Sequence, residues 1–457
     1  MDPTKLIEVV KWSGGSLRGN CDVEVMRVET DSRKVQPGDL FVALIGDRYD
    51  GHAFLSDVAE RGAMAALVQR GRAELAGEAL ELPLVEVDDS LRGLQQLALN
   101  YRKSLRARVV GVTGSNGKTS TKEFTAAILR SSMSVWATAG NLNNHIGVPL
   151  TILRGNHDHG AGVIEMGMNH AGEIAPLAQM AAPEVGIITN VGVAHIEHLG
   201  SRRAIAEEKG ALAAALPPVG TVVLSAQDEF SELIGGMTPA RVLTAGIGYG
   251  DVQAIDFHPE EGGTRFSLVH EGERAEVVLG VPGRHMVLNA TLAAAAGLAL
   301  GVSLGDAARG LREIGAVRGR LQWRTVGGIR FLDDSYNANP DSMEAAIATL
   351  VQTPIGGLRI AVLGRMGELG SFAEEGHRRV GKAAAELGVD WLMTVGEEAQ
   401  WIAEEARSCG LRRVDCLSGV SEVARVLREN AVGEDAVLVK GSRSAGMERV
   451  IEEVERV

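Results

Sequence analysis

The chain has 457 residues, a formal charge of −13, 45% hydrophobic side chains and 57 glycines. That length corresponds to about three domains at ~150 residues each, and the acidic balance excludes a general nucleic-acid surface. Cys21, Cys409 and Cys416 are few, odd in number and without metal-ligand spacing, which points to a reducing cytoplasm. The N-terminal stretch MDPTKLIEVVKWSGG lacks the long apolar core of a signal peptide. The most apolar run, Leu288 to Val302, is shorter than a ~20-residue span and predicts a buried helix, so no membrane insertion is expected.

Residues 1–88 read as a first, small α/β unit. Val23, Val25 and the run Leu40 to Leu44 are strand-like, interrupted by the turn Gln36-Pro37-Gly38-Asp39. A helical stretch, Phe54 to Gly62, leads into Ala65-Ala66-Leu67-Val68. The polar clusters Thr30-Asp31-Ser32-Arg33 and Asp50-Gly51-His52 fall on loops, where turn formation alone explains them. Asp88-Asp89-Ser90 then supplies N-cap side chains for an amphipathic helix over Leu91 to Leu105.

Residues 89–314 alternate strands and helices. Strands are predicted at Val109–Thr113, Gly162–Met166, Val185–Thr189 and Thr221–Leu224, a pattern that builds a mostly parallel sheet with helices on its faces. The stretch RVVGVTGSNGKTSTKEFT, Arg108 to Thr125, dominates this unit. A strand runs into a turn of Gly114, Ser115, Asn116 and Gly117, and Lys118, Thr119 and Ser120 open a helix. Backbone N–H groups and the helix dipole make such a turn an anion cradle. Lys118 can reach the outer phosphates of a nucleotide and the Thr119 hydroxyl can ligate Mg²⁺. The common phosphate loop places a glycine five residues before the glycine that precedes its lysine, and here that position is Val112. Between Asp251 and Val281 strand-like runs, Arg265–Val269 and Ala275–Leu279, predict a small antiparallel insert, followed by a helix with Asn289.

Residues 315–457 read as another alternating unit, doubly wound and without a second complete phosphate loop. Strands are expected at Ile329–Asp333, Arg359–Leu363, Trp391–Val395, Val414–Leu417 and Ala436–Val439. Helices are expected at Ser342–Leu350, Arg378–Leu387, Ala399–Cys409, Val420–Arg428 and Met447–Val454.

Several groups could carry chemistry. Glu165 ends an apolar strand, where an acid next to a phosphate loop can hold Mg²⁺; a solvated strand end is the alternative. His195 and His198 follow the strand Gly186–Val191. Magnesium prefers oxygen, so the residue type alone makes His195 a loop histidine or a substrate contact. Lys209 sits beside Glu207 and Glu208 and reads as a solvated helix lysine. His285 and Asn289 lie four apart on one helix face, either facing a base or capping the turn after Pro282-Gly283. Asp333 to Pro340 packs polar groups beyond a strand, where open α/β sheets place ligands; a capped loop is the alternative. Lys440-Gly441-Ser442-Arg443 is either an anion-binding turn or ordinary surface charge.

Taken together, these runs resemble the Mur ligase family of ATP-dependent amino-acid ligases over nearly the whole chain. GVTGSNGKTST is similar to that family's variant phosphate loop, which accounts for the absent glycine. GNLNNHIGVPLT from Gly140, EMGMNHAGEI from Glu165, DDSYNANPDSM from Asp333 and VLVKGSRSAGME from Val437 resemble the branch that adds a dipeptide. The Asp-Asn-Pro-Arg signature of the diaminopimelate-adding branch is absent. The resemblance implies a UDP-sugar domain, a central ATPase domain and a Rossmann-like C-terminal domain. It also implies ADP-forming ligation of D-alanyl-D-alanine to UDP-MurNAc-tripeptide through an acyl phosphate, by a cytoplasmic monomer in peptidoglycan biosynthesis.

Residue by residue, the resemblance implies Lys118 on the ATP phosphates, Thr119 and Glu165 on Mg²⁺, and His195 at a second magnesium site. Lys209 aligns with a lysine that the family can carry as a carbamate, N6-carboxylysine, itself able to meet Mg²⁺. Asn289 is similar to the adenine-contacting asparagine, Arg320 to a phosphate-contacting arginine and Asp334 to a ribose-contacting acid. Asn141, Asn144, Asn337, Ser442 and Arg443 fall on the substrate side, and Ser32 and Arg33 in the UDP-sugar motif. One departure is Gly364-Arg365-Met366, where the family usually has Gly-Asp-Met. Two other readings remain: a folylpolyglutamate synthase-like ligase, which should lack the first unit, and a nucleotide-gated binding protein without turnover.

Overall fold

The computed structural model describes residues 1–72, 81–260, 262–315 and 317–456. Its centre is a nine-stranded sheet. From one edge, Val135–Ala137, Ala161–Glu165, Arg108–Thr113, Val185–Ile188, Thr221–Ser225, Arg241–Ile247 and Val252–Glu260 run parallel. Strands buried on both faces read as continuous apolar runs, which is why Val109, Val110 and Val112 follow one another so closely. Val110 and Val112 pack with the helices Lys118–Arg130 and Arg284–Ala299 on one face. Val109 packs with Ser90–Ser104, Ile174–Ala181 and Arg202–Ala214 on the other. The run Leu288 to Val302 lies in that first helix layer, with Ala290 and Ala293 to Ala296 fully buried, as its composition predicts.

The antiparallel segment is not a separate insert. Val252–Glu260 pairs parallel to Arg241–Ile247, and Gly263–His270 and Glu273–Leu279 extend the same sheet to its far edge. Local alternation predicts the hairpin but not the edge it joins, because that edge is reached by a parallel pairing of Ala245–Ile247 with Val252–Ala254, which alternation within the hairpin does not encode.

The C-terminal unit is a six-stranded sheet in the order Gln322–Val326, Ile329–Asp333, Ala436–Lys440, Arg359–Gly364, Trp391–Val395, Val414–Leu417. Its first pair is antiparallel and the rest parallel. Three adjacent strands therefore end side by side, presenting Asp334, Lys440 and the turn after Gly364 on one rim. The helix Pro340–Gln352 buries Met343, Ala346 and Ile347 in a core shared with the central sheet, so the two units pack through apolar side chains as well as through the site.

The N-terminal unit has a five-stranded sheet, with Arg27–Glu29, Asp39–Val42, Ala65–Gln69 and Leu84–Val87 parallel and Ser16–Arg18 antiparallel, beside a two-stranded pair of Thr4–Lys5 and Glu24–Val25. The helix Ser90–Ser104 is capped by Asp89 and packs against both this unit and the central one. Among the described residues no helix is long and apolar enough to cross a membrane.

Candidate active site

The phosphate-loop turn is shaped by contacts that only glycine permits. Gly114 and Gly117 have φ of 147° and 79°. A Cβ at Gly117 would stand 2.5 Å from Asn289 Oδ1, and one at Gly114 would collide with Thr189. The turn is also held from the next strand. Ser115 N–H donates to Asn190 O (2.9 Å), Asn116 N–H to Asn190 Oδ1 (3.0 Å) and Thr189 Oγ1 to Asn116 O (2.5 Å). Lys118 folds back so that Nζ donates to Gly114 O at 2.7 Å, a place from which it can swing to an incoming anion. Burial pushes the Lys118 pKa down, and the Glu165 carboxylate opposes that shift.

Register sets Glu165 beside Val112, one strand over from the loop. Its Oε1 accepts from Asn143 Nδ2 at 2.8 Å, while Oε2 is buried without a partner. Lys209 is fully buried on the helix Arg202–Ala214, and its Nζ also lacks any partner. Burial, and secondarily the nearby Lys118 charge, drives its pKa well below that of an ordinary lysine. It is therefore not the solvated helix lysine that residue type suggests. A buried carboxylate oxygen and a buried amine, both unpaired, are costly unless something absent from the chain satisfies them. Among the described residues no three His, Cys, Asp or Glu side chains come together as a metal cluster.

The C-terminal unit supplies the opposite wall. Asp334 and Lys440 are both buried, with Lys440 Nζ 2.5 Å from Asp334 Oδ2 and 2.9 Å from Asn337 O. Burial lowers the Lys440 pKa and Asp334 opposes it. His285 lies close by, its pKa lowered to about 4 by burial, so its ring is neutral at physiological pH. Arg320 lies over the Tyr336 ring, 4.2 Å from its centroid, and Nη2 reaches Thr119 Oγ1 at 3.4 Å. Arg320 Nε is another buried donor without a partner.

Besides Arg320–Thr119, three further contacts join the two walls. Asn339 Nδ2 donates to Asn116 Oδ1 in the phosphate loop (2.7 Å), and Asp341 Oδ2 accepts from Val193 N–H (3.1 Å). His195 Nδ1 stands 2.8 Å from Glu368 Oε2, an ion-pair distance, although the angle falls short of a hydrogen bond. His195, with Lys118 and His198 secondarily, holds the Glu368 carboxyl below the usual range.

The walls enclose a cavity of about 1040 Å³. Lys118, Thr119, Ser120, Glu165, His195, Asn289, Arg320 and Asp334 line it together with Ser115, Asn116 and Gly117. Asn141, Asn144, Asn337, Ser442 and Arg443 line it too. Gly114 shapes the loop from beneath, and Lys209 is buried behind the wall. Asn144 also has a local task, its Oδ1 accepting from Ile146 and Gly147 N–H at the start of a short helix. Ser32 and Arg33 do not line this cavity; they sit on a short 3₁₀ turn in the N-terminal unit, with Arg33 exposed and paired to Asp31. Arg365, the departure from the usual motif, turns to Ser444 Oγ (2.9 Å) and Glu398 (3.6 Å).

Residue types alone did not single out Asn143, Asn190 and Glu368 as site residues, whereas Asn339 and Lys440 fall in polar runs that the sequence offers as candidate ligand sites. The asparagine-rich run carries a faint signal for Asn143. The pairings themselves are long-range and have no local signature.

Three family models match the chain: Mur ligase family, catalytic domain, over residues 24–102; Mur ligase middle domain, over 112–297; and Mur ligase, glutamate ligase domain, over 319–443. The UDP-N-acetylmuramoyl-tripeptide–D-alanyl-D-alanine ligase of Escherichia coli (strain K12) is 38% identical, covering 96% of this chain and 95% of that protein. A crystal structure of MurF from Acinetobacter baumannii matches with a TM-score of 0.90 and 32% identity, over 100% of this chain and 99% of that one. MurF ligase from Thermotoga maritima in complex with ADP matches at 0.83 and 30% identity, over 94% and 97%.

Proposed function

The chain belongs to the Mur ligase family, and on that premise we propose how its parts divide one reaction. The protein is an ADP-forming peptide-bond ligase of peptidoglycan biosynthesis that joins D-alanyl-D-alanine to UDP-N-acetylmuramoyl-tripeptide. A carboxylate is a poor acyl donor. Transfer of the ATP γ-phosphoryl group to the tripeptide carboxylate gives an acyl phosphate; the dipeptide amine then attacks its carbonyl carbon, loses a proton and expels phosphate.

In our reading, residues 1–88 hold the UDP-sugar end, with Ser32 and Arg33 in contact with it. Residues 89–314 hold ATP, and residues 315–457 close over its ribose and bring the dipeptide. Gly114 to Ser120 wrap the phosphates with backbone N–H groups, and Lys118 leaves the Gly114 carbonyl to neutralise them. Asn289 meets the base, Asp334 the ribose and Arg320 a phosphate. Asn141, Asn144, Asn337, Ser442 and Arg443 face the peptide substrates.

Thr119, Glu165 and His195 would hold Mg²⁺, joined by Lys209 if that lysine carries a carbamate. Magnesium there offsets the repulsion between two anions brought together. The unpaired Glu165 Oε2 supports this, and the unpaired, neutral-leaning Lys209 amine has the form that attacks CO₂ and releases a proton to give a carbamate. We further take the enzyme to act in the cytoplasm as a monomer, which light scattering checks.

The observation that carries this reading is one cavity lined by a phosphate loop, the buried Glu165 and the Asp334–Lys440 rim of a second unit. A folylpolyglutamate synthase-like reading does not account for the first unit, which the Mur ligase catalytic-domain model matches. A phosphate-release assay with ATP and UDP-MurNAc-tripeptide, with and without D-alanyl-D-alanine, is the test. Dipeptide-dependent release with a pentapeptide product is expected. Nucleotide binding without release would indicate a gated binding protein.

A further inference from the structure

His195 and Glu368 face each other from different units, and both have left-handed backbones, φ 64° and 62°. That conformation is sterically strained for a residue with a Cβ. Two such residues meeting across one interface, away from any tight hairpin, is strain that persists only where surrounding structure enforces it. At Glu368 the enforcement is visible. Met366 and Leu369 are buried on either side of it. Met366 N–H donates to His377 Nε2 (3.0 Å), and His377 Nδ1 is in turn 2.7 Å from Ala373 O. Gly370 lies against Glu197, where an added Cβ would be 2.8 Å from Cγ. The turn is thus braced to project one carboxylate at His195.

Nδ1 is the ring nitrogen that faces Glu368. Nε2, on the far side of the imidazole, makes no hydrogen bond with the described residues, and His195 lines the cavity. A carboxylate near Nδ1 keeps the proton there and leaves the Nε2 lone pair free, the arrangement by which outer groups orient a ligating or polar imidazole.

We propose that Glu368 is a positioning residue: delivered by the C-terminal unit, it sets the tautomer and orientation of His195, so that His195 is competent only when that unit is docked. The inference rests on the ligase reading for its activity arm. It explains why a residue on the dipeptide side of the cleft reaches into the phosphate side. The unit that brings the amine also completes the site that makes the acyl phosphate, which disfavours idle phosphorylation.

The test uses the full chain and two variants of similar side-chain length, Glu368→Gln, which keeps an acceptor, and Glu368→Met, which does not. Folding is checked by circular dichroism and melting. With ¹⁵N-histidine labelling, the His195 ring signals, identified by their loss in His195→Asn, should report an Nδ1–H tautomer in the wild type and in Glu368→Gln. In Glu368→Met they should report a tautomer mixture. Dipeptide-dependent phosphate release should fall about 10–100-fold in kcat for Glu368→Met, with the ATP KM little changed, and recover largely in Glu368→Gln. Adding Glu368→Met to His195→Asn should cost nothing more. An unchanged tautomer in folded Glu368→Met, or additive losses in the double variant, would overturn the proposal. So would faster turnover in Glu368→Met, because Glu368 would then be a restraining latch. If the wild type shows the tautomer dependence but no ligation, the functional reading fails and the positioning role stands.

Discussion

Replacing Lys209 by methionine should make the protein more stable and nearly inactive. The Lys209 side chain is fully buried, and its Nζ has no hydrogen-bond partner. An unpaired buried polar group costs about 1–3 kcal/mol, which a methionine of similar shape removes. Protonation adds to the difference. The folded-state pKa lies well below the ordinary 10.5, so between those two values the unfolded chain binds a proton that the folded chain does not. Wild-type stability therefore rises with pH in that window, by up to about 1.4 kcal/mol per pH unit, and the variant lacks this slope. The stability advantage of Lys209→Met should thus be largest at the acidic end of the window and shrink as pH approaches 10.5.

The assay is denaturant unfolding of both proteins in decarbonated buffer at several pH values, alongside phosphate release. Bicarbonate should stabilise the wild type and raise its activity, leaving Lys209→Met unmoved, because only the lysine can form a carbamate. Lys209→Ala leaves space behind the wall and should regain some activity with a short-chain carboxylate. A lower stability for Lys209→Met at every pH would refute the reasoning, since it would mean the amine has a stabilising partner. Full activity of Lys209→Ala without bicarbonate or added carboxylate would refute the carbamate.

Gly117→Ala forces a left-handed backbone on a residue with a Cβ and drives it to 2.5 Å from Asn289 Oδ1; a loss of at least about 1–2 kcal/mol in stability and weaker ATP binding by calorimetry are expected. Lys440→Met leaves the buried Asp334 carboxylate without its cation, at a cost of about 3–5 kcal/mol. Adding Asp334→Asn should recover most of that stability but not the activity, as urea unfolding and turnover would show together. His285 has its pKa lowered to about 4, so the unfolded chain takes up a proton there first as pH falls. Stability should drop by about 3 kcal/mol between pH 6.5 and 4, and His285→Leu should flatten that part of an acid-unfolding profile.

How much of the site was legible depends on the range of the interaction that builds it. The phosphate loop was legible because strand, glycine turn and helix start are local, and Gly114 and Gly117 declare their backbone angles by residue type. Glu165 was legible because it ends an apolar run beside that loop. Lys209 was not: its neighbours Glu207 and Glu208 suggest a solvated face, and only the packing of the helix Arg202–Ala214 against the sheet buries the amine. Asn144 looked like a substrate contact, and its Oδ1 also accepts from Ile146 and Gly147 N–H just ahead of the helix Gly147–Ile152.

By itself the sequence determined the class of fold, the order of strands and helices along the chain, and the family with its reaction. The fold class and the element order follow from apolar periodicity and turn chemistry, and the family and reaction from the resemblance of contiguous motifs; all depend on residues near one another in the chain. Tertiary structure alone decided that the antiparallel strands extend the central sheet, that Lys440 neutralises Asp334, and that Asn339 grips Asn116. It also decided that Glu368 meets His195. The last three are pairings across more than a hundred residues, set by which strand ends share a rim and which helices share a core. Burial then turns those pairings into chemistry, because a charge or amine held away from water must find a partner, lose its proton or bind what the chain does not supply.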